Sequence, residues 1–161
     1  MIEVMVVVII IGILSTLAYS SLVELISTNR AKEVAQTIRT FTERALMDAK
    51  RQNNIVRICI TGDVIIAEDP NGTTECGKGK RISSEALNKG FSYPPNVPLN
   101  GENFNTGITS TIRIGLSGIA IEGYFAVCDS RGYCGGAVKS LTENSFKAQI
   151  KRGNNTDWRA L

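Results

Sequence analysis

The chain has 161 residues, enough for one long apolar segment and one small domain, and its 18 basic and 15 acidic side chains leave a net charge of +3. That balance is too mild to mark a nucleic-acid binder by charge. The complete lack of His removes the usual general base, every Ser-His-Asp arrangement and the commonest metal ligand.

Residues 1–26, MIEVMVVVIIIGILSTLAYSSLVELI, are the first predicted element. From Val4 to Leu14 every residue is apolar or Gly, and the polar Ser15, Thr16, Ser20 and Ser21 that follow are small and uncharged. Glu3 and Glu24 are the segment's only charged side chains. A helix rises ~1.5 Å per residue, so residues 4–23 match the ~30 Å of a bilayer core. The run has no basic residues before it and no small-residue cleavage site after it, which argues against a secretory signal. On hydropathy alone an ordinary single-span anchor fits as well. Glu3 is the distinguishing residue: a carboxylate costs ~2.5–3.5 kcal/mol at the centre of a bilayer and less near an end, and a helix amino terminus favours it.

Residues 27–54 hold six basic and three acidic groups. Val34, Ile38, Phe41, Ala45 and Ala49 recur at helical spacing, with Ala31 and Leu46 beside them. No Pro or Gly interrupts the run from Ile13 to Asn54. One continuous helix is therefore predicted, ~75–80 Å long, with Asn53-Asn54 as its stop. Within it, the Gly12–Ser21 stretch has the weakest helix formers, and its Ser and Thr hydroxyls compete for backbone carbonyls. A local loss of helical bonding is expected there once the helix is packed in an assembly.

Residues 55–161 read as a β-rich head. Residues 55–60 and 64–67 form a hairpin across Thr61-Gly62-Asp63. Residues 69–81, DPNGTTECGKGKR, read as a turn-rich loop and residues 82–107 as a long surface connection. Residues 108–116 and 119–128 alternate around Ser117-Gly118, which predicts a second hairpin. Asp129–Gly136 reads as a tight loop between Cys128 and Cys134. Residues 137–141 and 146–151 predict a last hairpin across residues 142–145.

The amino-terminal pattern resembles that of type IV pilins and type II secretion pseudopilins. The match is carried by Met1-Ile2-Glu3-Val4-Met5-Val6-Val7-Val8 and Ile10-Ile11-Gly12-Ile13-Leu14. The resemblance implies an α+β fold, with a long amino-terminal helix packed on a small antiparallel head. It implies cleavage by a prepilin peptidase, an N-methylated first residue and residence in the bacterial inner membrane before assembly. Inner-membrane assembly machinery would then move the chain into an extracellular filament of identical or homologous subunits. The residues it marks for assembly are Glu3, Met1 at the amino-terminal end, and Gly12. Glu3 stands two residues closer to the start than the family pattern expects. Either two leading residues are absent from this sequence, which is the preferred reading, or processing leaves a shorter end. The helix-kinking Pro of many major pilins is replaced here by Ser20. Val127-Cys128-Asp129-Ser130-Arg131-Gly132 and the strand order resemble the head of the GspH/FimT group, which contains many minor subunits.

Two functions follow from this resemblance. The first is a structural subunit of an extracellular type IV pilus. The alternative is a minor pilin or pseudopilin of a type II secretion or DNA-uptake system. A membrane-tethered enzyme finds no nucleophile–base pair or metal cluster to support it, so no catalytic residue, metal or cofactor is expected. Gly77-Lys78-Gly79-Lys80 lacks the phosphate-loop spacing and reads as a loop. Asp63, Glu68 and Asp69 do not fit an EF-hand and read as solvated turn residues. Lys147, Lys151, Arg152 and Arg159 beside Trp158 form a modest basic tail; a charged strand edge is the preferred reading and contact with nucleic acid the alternative. Four Cys in an exported head read as two disulfides. Short loop closure gives Cys59–Cys76 and Cys128–Cys134, against a rival cross-head link from Cys59 to Cys128.

Overall fold

A computed structural model of the chain describes residues 2–72, 75–88, 90–91, 111–114, 124–139, 145–153 and 158–161. The predicted surface connection beyond residue 91, the Ser117-Gly118 turn and most of the 142–145 turn lie outside the described residues.

Among the described residues one continuous helix, α1, runs from Ile2 to Gln52. It ends just before the predicted stop. Asn53 adopts a left-handed conformation with φ 48°, and the Asn54 amide donates back to the Ala49 carbonyl at 3.2 Å. This is a Schellman-type cap with Asn where Gly is commoner. The Asn54 side chain donates to Asp69 Oδ2 at 2.9 Å, which ties the cap to the head. The helix continues through residues 12–21 without a break. Ser15 and Thr16 nevertheless direct their hydroxyls to the Ile11 and Ile13 carbonyls, at 2.7 and 2.8 Å.

Among the described residues the head holds two four-stranded antiparallel sheets, so the fold is α+β. The first contains β1 (Val56–Thr61), β2 (Val64–Asp69), β3 (Lys80–Ala86) and β4 (Thr111–Ile114), in the order β3-β2-β1-β4. The second contains β5 (Tyr124–Cys128), β6 (Cys134–Lys139), β7 (Phe146–Lys151) and β8 (Arg159–Ala160), in sequence order. The β1–β2 and β6–β7 hairpins form where the apolar runs and the turns between them predict them.

Three predicted features change. The segment expected to be loop and connection contains β3, a mostly exposed edge strand with Lys80, Arg81 and Glu85 along it. Its polar sequence has no apolar alternation, and pairing with β2 defines it. The predicted 108–128 hairpin is split between sheets: β4 pairs with β1 and β5 with β6. The register that sets Ile114 opposite Val56 buries both residues, which outweighs the local turn signal. The loop after Cys128 is also shorter than predicted, because β6 begins at Cys134 directly opposite Cys128.

One core joins the helix to both sheets. Val34, Ala35, Ile38 and Phe41 of α1 meet Ile58, Ile65 and Ile114 of the first sheet and Ala137, Phe146 and Ile150 of the second. The helix packs mainly on β6 and β7. Gly135 on β6 makes that approach possible. A Cβ there would overlap the backbone carbonyl of Ala31 and press on the Ala35 amide. Gly135→Ala should therefore move the helix or the strand and destabilise the head by about 1–3 kcal/mol, as overpacking does. Denaturant unfolding of the full chain in detergent measures it, and an unchanged midpoint would contradict the close seam.

Candidate functional site

Burial divides α1 into two halves. Every described side chain from Val4 to Thr16 is exposed, on all faces of the helix. Val4 is 67% exposed, Ile9 62% and Ile26 48%. Burial begins at Ser27 and follows one stripe as far as Ala49. The bare half is apolar around its full circumference, so no rotation of the helix would hide it against a single surface. Burying a large apolar side chain is worth ~1.5–3 kcal/mol, and a run of this size requires hydrocarbon or other apolar helices around it. By length and composition the helix can cross a membrane.

The predicted assembly residues lie in this half. Glu3 is in the first turn of α1, and its side chain, like the whole of Met1, lies outside the described residues. At Gly12 the space a side chain would occupy is open. Glu24 is exposed near the head.

On the head, the residues read as a turn-rich loop form an ordered polar network. Arg57 and Glu68 are cross-strand partners on β1 and β2 and are both buried. Arg57 Nε donates to Glu68 Oε1 at 2.8 Å, and its Nη2 also reaches the Glu75 carbonyl. The amides of Gly77 and Gly79 donate to the two Glu68 carboxylate oxygens at 3.1 and 3.0 Å. Glu68 is therefore not a solvated turn residue, because the loop folds over it. The Gly-x-Gly amides resemble an anion cradle, and the anion they hold belongs to the chain itself. Cys59, Glu68 and Cys76 lie close enough to hold a metal ion, but the two sulfurs are joined and the carboxylate is already satisfied by Arg57 and the loop amides.

Disulfides join Cys59 to Cys76 and Cys128 to Cys134. The first fastens the 75–79 loop over the outer face of β1 and β2. The second closes the β5–β6 turn, where Asp129 Oδ1 accepts from the amides of Arg131 and Tyr133 at 3.0 and 2.8 Å. Gly132 takes φ 83° there, beside the Gly153 carbonyl.

The predicted basic tail does not form one patch. Lys147 and Arg159 are exposed, Arg152 lines a cleft beside α1, and Lys151 is buried. Lys151 could not reach a phosphate without leaving its site, and burial holds its pKa below the ordinary value of 10.5.

Compared with known proteins, the chain matches no family model, no curated protein and no solved structure. Its long apolar amino-terminal helix packed on antiparallel sheet is a pilin-like architecture.

Two outcomes test these assignments. Glu68→Ala leaves the Arg57 charge buried, so it should cost about 3–5 kcal/mol and accelerate hydrogen exchange at the Gly77 and Gly79 amides. An Arg57→Met/Glu68→Leu double variant should lose much less than the sum of its single changes, and additive losses would contradict a coupled pair. For Lys151, the lowered folded pKa means the unfolded chain binds more protons between that pKa and about 10.5. Stability contributed by this residue should therefore rise with pH across that window. Lys151→Met should flatten the rise in denaturant unfolding at stepped pH; an unchanged slope would show that Lys151 is not its source.

Proposed function

We propose that this chain is a structural subunit of an extracellular type IV pilus filament, assembled through its apolar helix. The observation that carries this reading is the division of α1: one stripe is buried by the head from Ser27 to Ala49, whereas every described side chain from Val4 to Thr16 is exposed. In the inner membrane, hydrocarbon satisfies the bare half. After extraction by the assembly machinery, equivalent helices of neighbouring copies take the place of lipid. Heads fixed to the other half of the helix then tile the outside of the bundle.

Apolar contact alone gives a bundle no register. Glu3 supplies it in this reading by pairing with the amino-terminal amine of a neighbouring copy. Such a pair adds little net stability, but an unpaired carboxylate in the bundle is expensive, so misaligned neighbours are penalised. The Gly12 surface leaves room for close helix approach.

The turn at Val127–Gly132, with its likeness to the GspH/FimT group, favours a second reading as a minor pilin or pseudopilin. Abundance separates the two. A major subunit dominates the fraction of filaments sheared from cells, whereas a minor one is scarce in it.

Glu3→Ala tests the mechanism. The head should fold normally with both disulfides formed, since residue 3 lies far along the helix from Ser27. The yield of sheared filaments should fall by an order of magnitude or more, the effect of ~1.4 kcal/mol or more per docking event. Normal filament yield in this variant would remove Glu3 from assembly.

A further inference from the structure

Two clefts flank α1 where it leaves the head. The larger, about 300 Å³, has Val23, Ile26, Ser27 and Arg30 on its helix side and Ser130 and Arg131 of the β5–β6 turn on its head side. Its wall is apolar at Val23 and Ile26, toward the bare helix, and toward the head it carries Arg30 and Arg131 beside Phe91 and Asp129. Arg131 Nη1 donates to the buried Ser27 Oγ at 3.5 Å, which ties the turn to the helix. Among the described residues, neither Arg30 nor Arg131 forms an ion pair. The carboxylate in the cleft, Asp129, accepts from the Arg131 and Tyr133 amides of its own turn. Two guanidinium groups against one carboxylate leave the cleft net positive. The second cleft places Lys32 and Arg152 against Glu24, so it carries the same sign at the same level of the helix.

The position along the helix gives this charge a meaning. From Val4 to Ile26 the helix rises ~33 Å, close to the ~30 Å of a hydrocarbon core. Arg30 lies one turn further on, ~6 Å beyond Ile26. A chain that buries its bare half in a bilayer therefore holds the cleft at the depth of the phosphate groups.

We propose that the Arg30–Arg131 cleft binds the headgroup phosphate of an anionic phospholipid, with the acyl chains lying along Val23 and Ile26. The proposal rests on the membrane stage of the reading above. Guanidinium groups suit phosphate oxygens because their planar donor forks bond two oxygens at once, and Ser130 adds a hydroxyl donor. A carboxylate of a second copy is the competing occupant. The lipid is favoured because one molecule satisfies both walls: phosphate on the cationic side, hydrocarbon on the side continuous with the bare helix. The bound lipid fixes the depth and rotation of the subunit in the membrane and is left behind on extraction.

The full chain is reconstituted in nanodiscs of phosphatidylcholine mixed with phosphatidylglycerol, and the lipids retained after detergent treatment are identified by native mass spectrometry. Phosphatidylglycerol should be retained preferentially. An Arg30→Gln/Arg131→Gln variant should lose about thirtyfold of that preference, on ~1 kcal/mol per basic residue at an anionic surface. Arg30→Lys/Arg131→Lys should keep most of it. Peptide mapping of both disulfides confirms that each variant is folded. Equal retention by the wild-type and Gln chains would overturn the proposal, and so would displacement of the lipid by excess inorganic phosphate, which would mark a general anion site. Filament yield is scored separately. A Gln variant with unchanged lipid preference but few filaments would assign the cleft to a second copy and overturn the lipid. A wild-type chain with lipid preference but no filaments would uphold the lipid site and remove the filament reading.

Discussion

The approach of α1 to β6 sets the position of the head along the helix, and much else follows from that position. Ala31 and Ala35 present almost bare backbone to Gly135, which has no side chain to hold them off. The small residues on both sides bring helix and sheet close enough for Val34, Ile38 and Phe41 to enter the core between the two sheets. The residues from Ser27 to Ala49 cover ~33 Å of helix axis at the standard rise. A six-residue strand such as β6 or β7 reaches only ~20 Å, so strands of both sheets are needed to cover that length. Nothing remains in the described head to cover the other half of the helix. The bare segment is thus a consequence of where the seam lies, and so is the level of the Arg30–Arg131 cleft.

The outer face of the first sheet shows a different solution to burial. Strand parity puts Val56, Ile58 and Ile60 toward the core, and Arg57, Cys59 and Thr61 toward the other side. That side would face water in a one-sided antiparallel sheet. Here the 75–79 loop closes over it, and a buried ion pair lies beneath the loop. Replacing such a pair by apolar residues is often neutral or stabilising. Its contribution is therefore to specify the loop: Glu68 orients two loop amides, Arg57 holds a loop carbonyl, and Cys76 fixes the loop covalently to β1. A Cβ on Gly79 would collide with the Asp69 carbonyl, whereas Gly77 has open space around it and answers to its left-handed φ of 82°.

The long helix and two of its hairpins were legible because their signals are local. Val34, Ile38, Phe41, Ala45 and Ala49 repeat with the period of a helix, and β1, β2 and β7 are short, largely apolar runs within a few residues of a turn. The missed elements depend on distant partners. β3 is too polar to announce itself and exists as an edge of β2, with a bulge beside Glu68. β4 follows a turn signal toward β5 in sequence but joins β1 in space. Of the site residues, Glu68 read as solvent-facing because its charge was weighed without its register. The signal was present: Arg57 and Cys59 share a face, and a Cys59–Cys76 link must carry the intervening loop across Arg57. Lys151 groups with a basic tail by nearness in sequence, although it ends β7 and is buried in the head.

The uniform hydrophobicity of the bare half limits how an assembly could be specified. A striped helix carries its own orientation, but residues 4–16 are exposed and predominantly apolar on every side. In hydrocarbon all rotations of such a helix are nearly equivalent, and in a bundle most sliding registers bury similar area. Discrimination then falls to the few features that break the uniformity. In the filament proposed above, Glu3 would penalise registers that leave it unpaired, and Gly12 would favour those that bring backbones close. The Ser15 and Thr16 hydroxyls are already satisfied by the Ile11 and Ile13 carbonyls, so they can enter an apolar interface without unpaired donors. At the other end, the cationic clefts break the uniformity a second time, and in the membrane stage proposed above they would distinguish headgroup depth from hydrocarbon depth. The helix is thus marked at its two ends and nearly featureless between them. In the assembly proposed above, that arrangement would let lipid be exchanged for protein along the middle while the ends set register and depth.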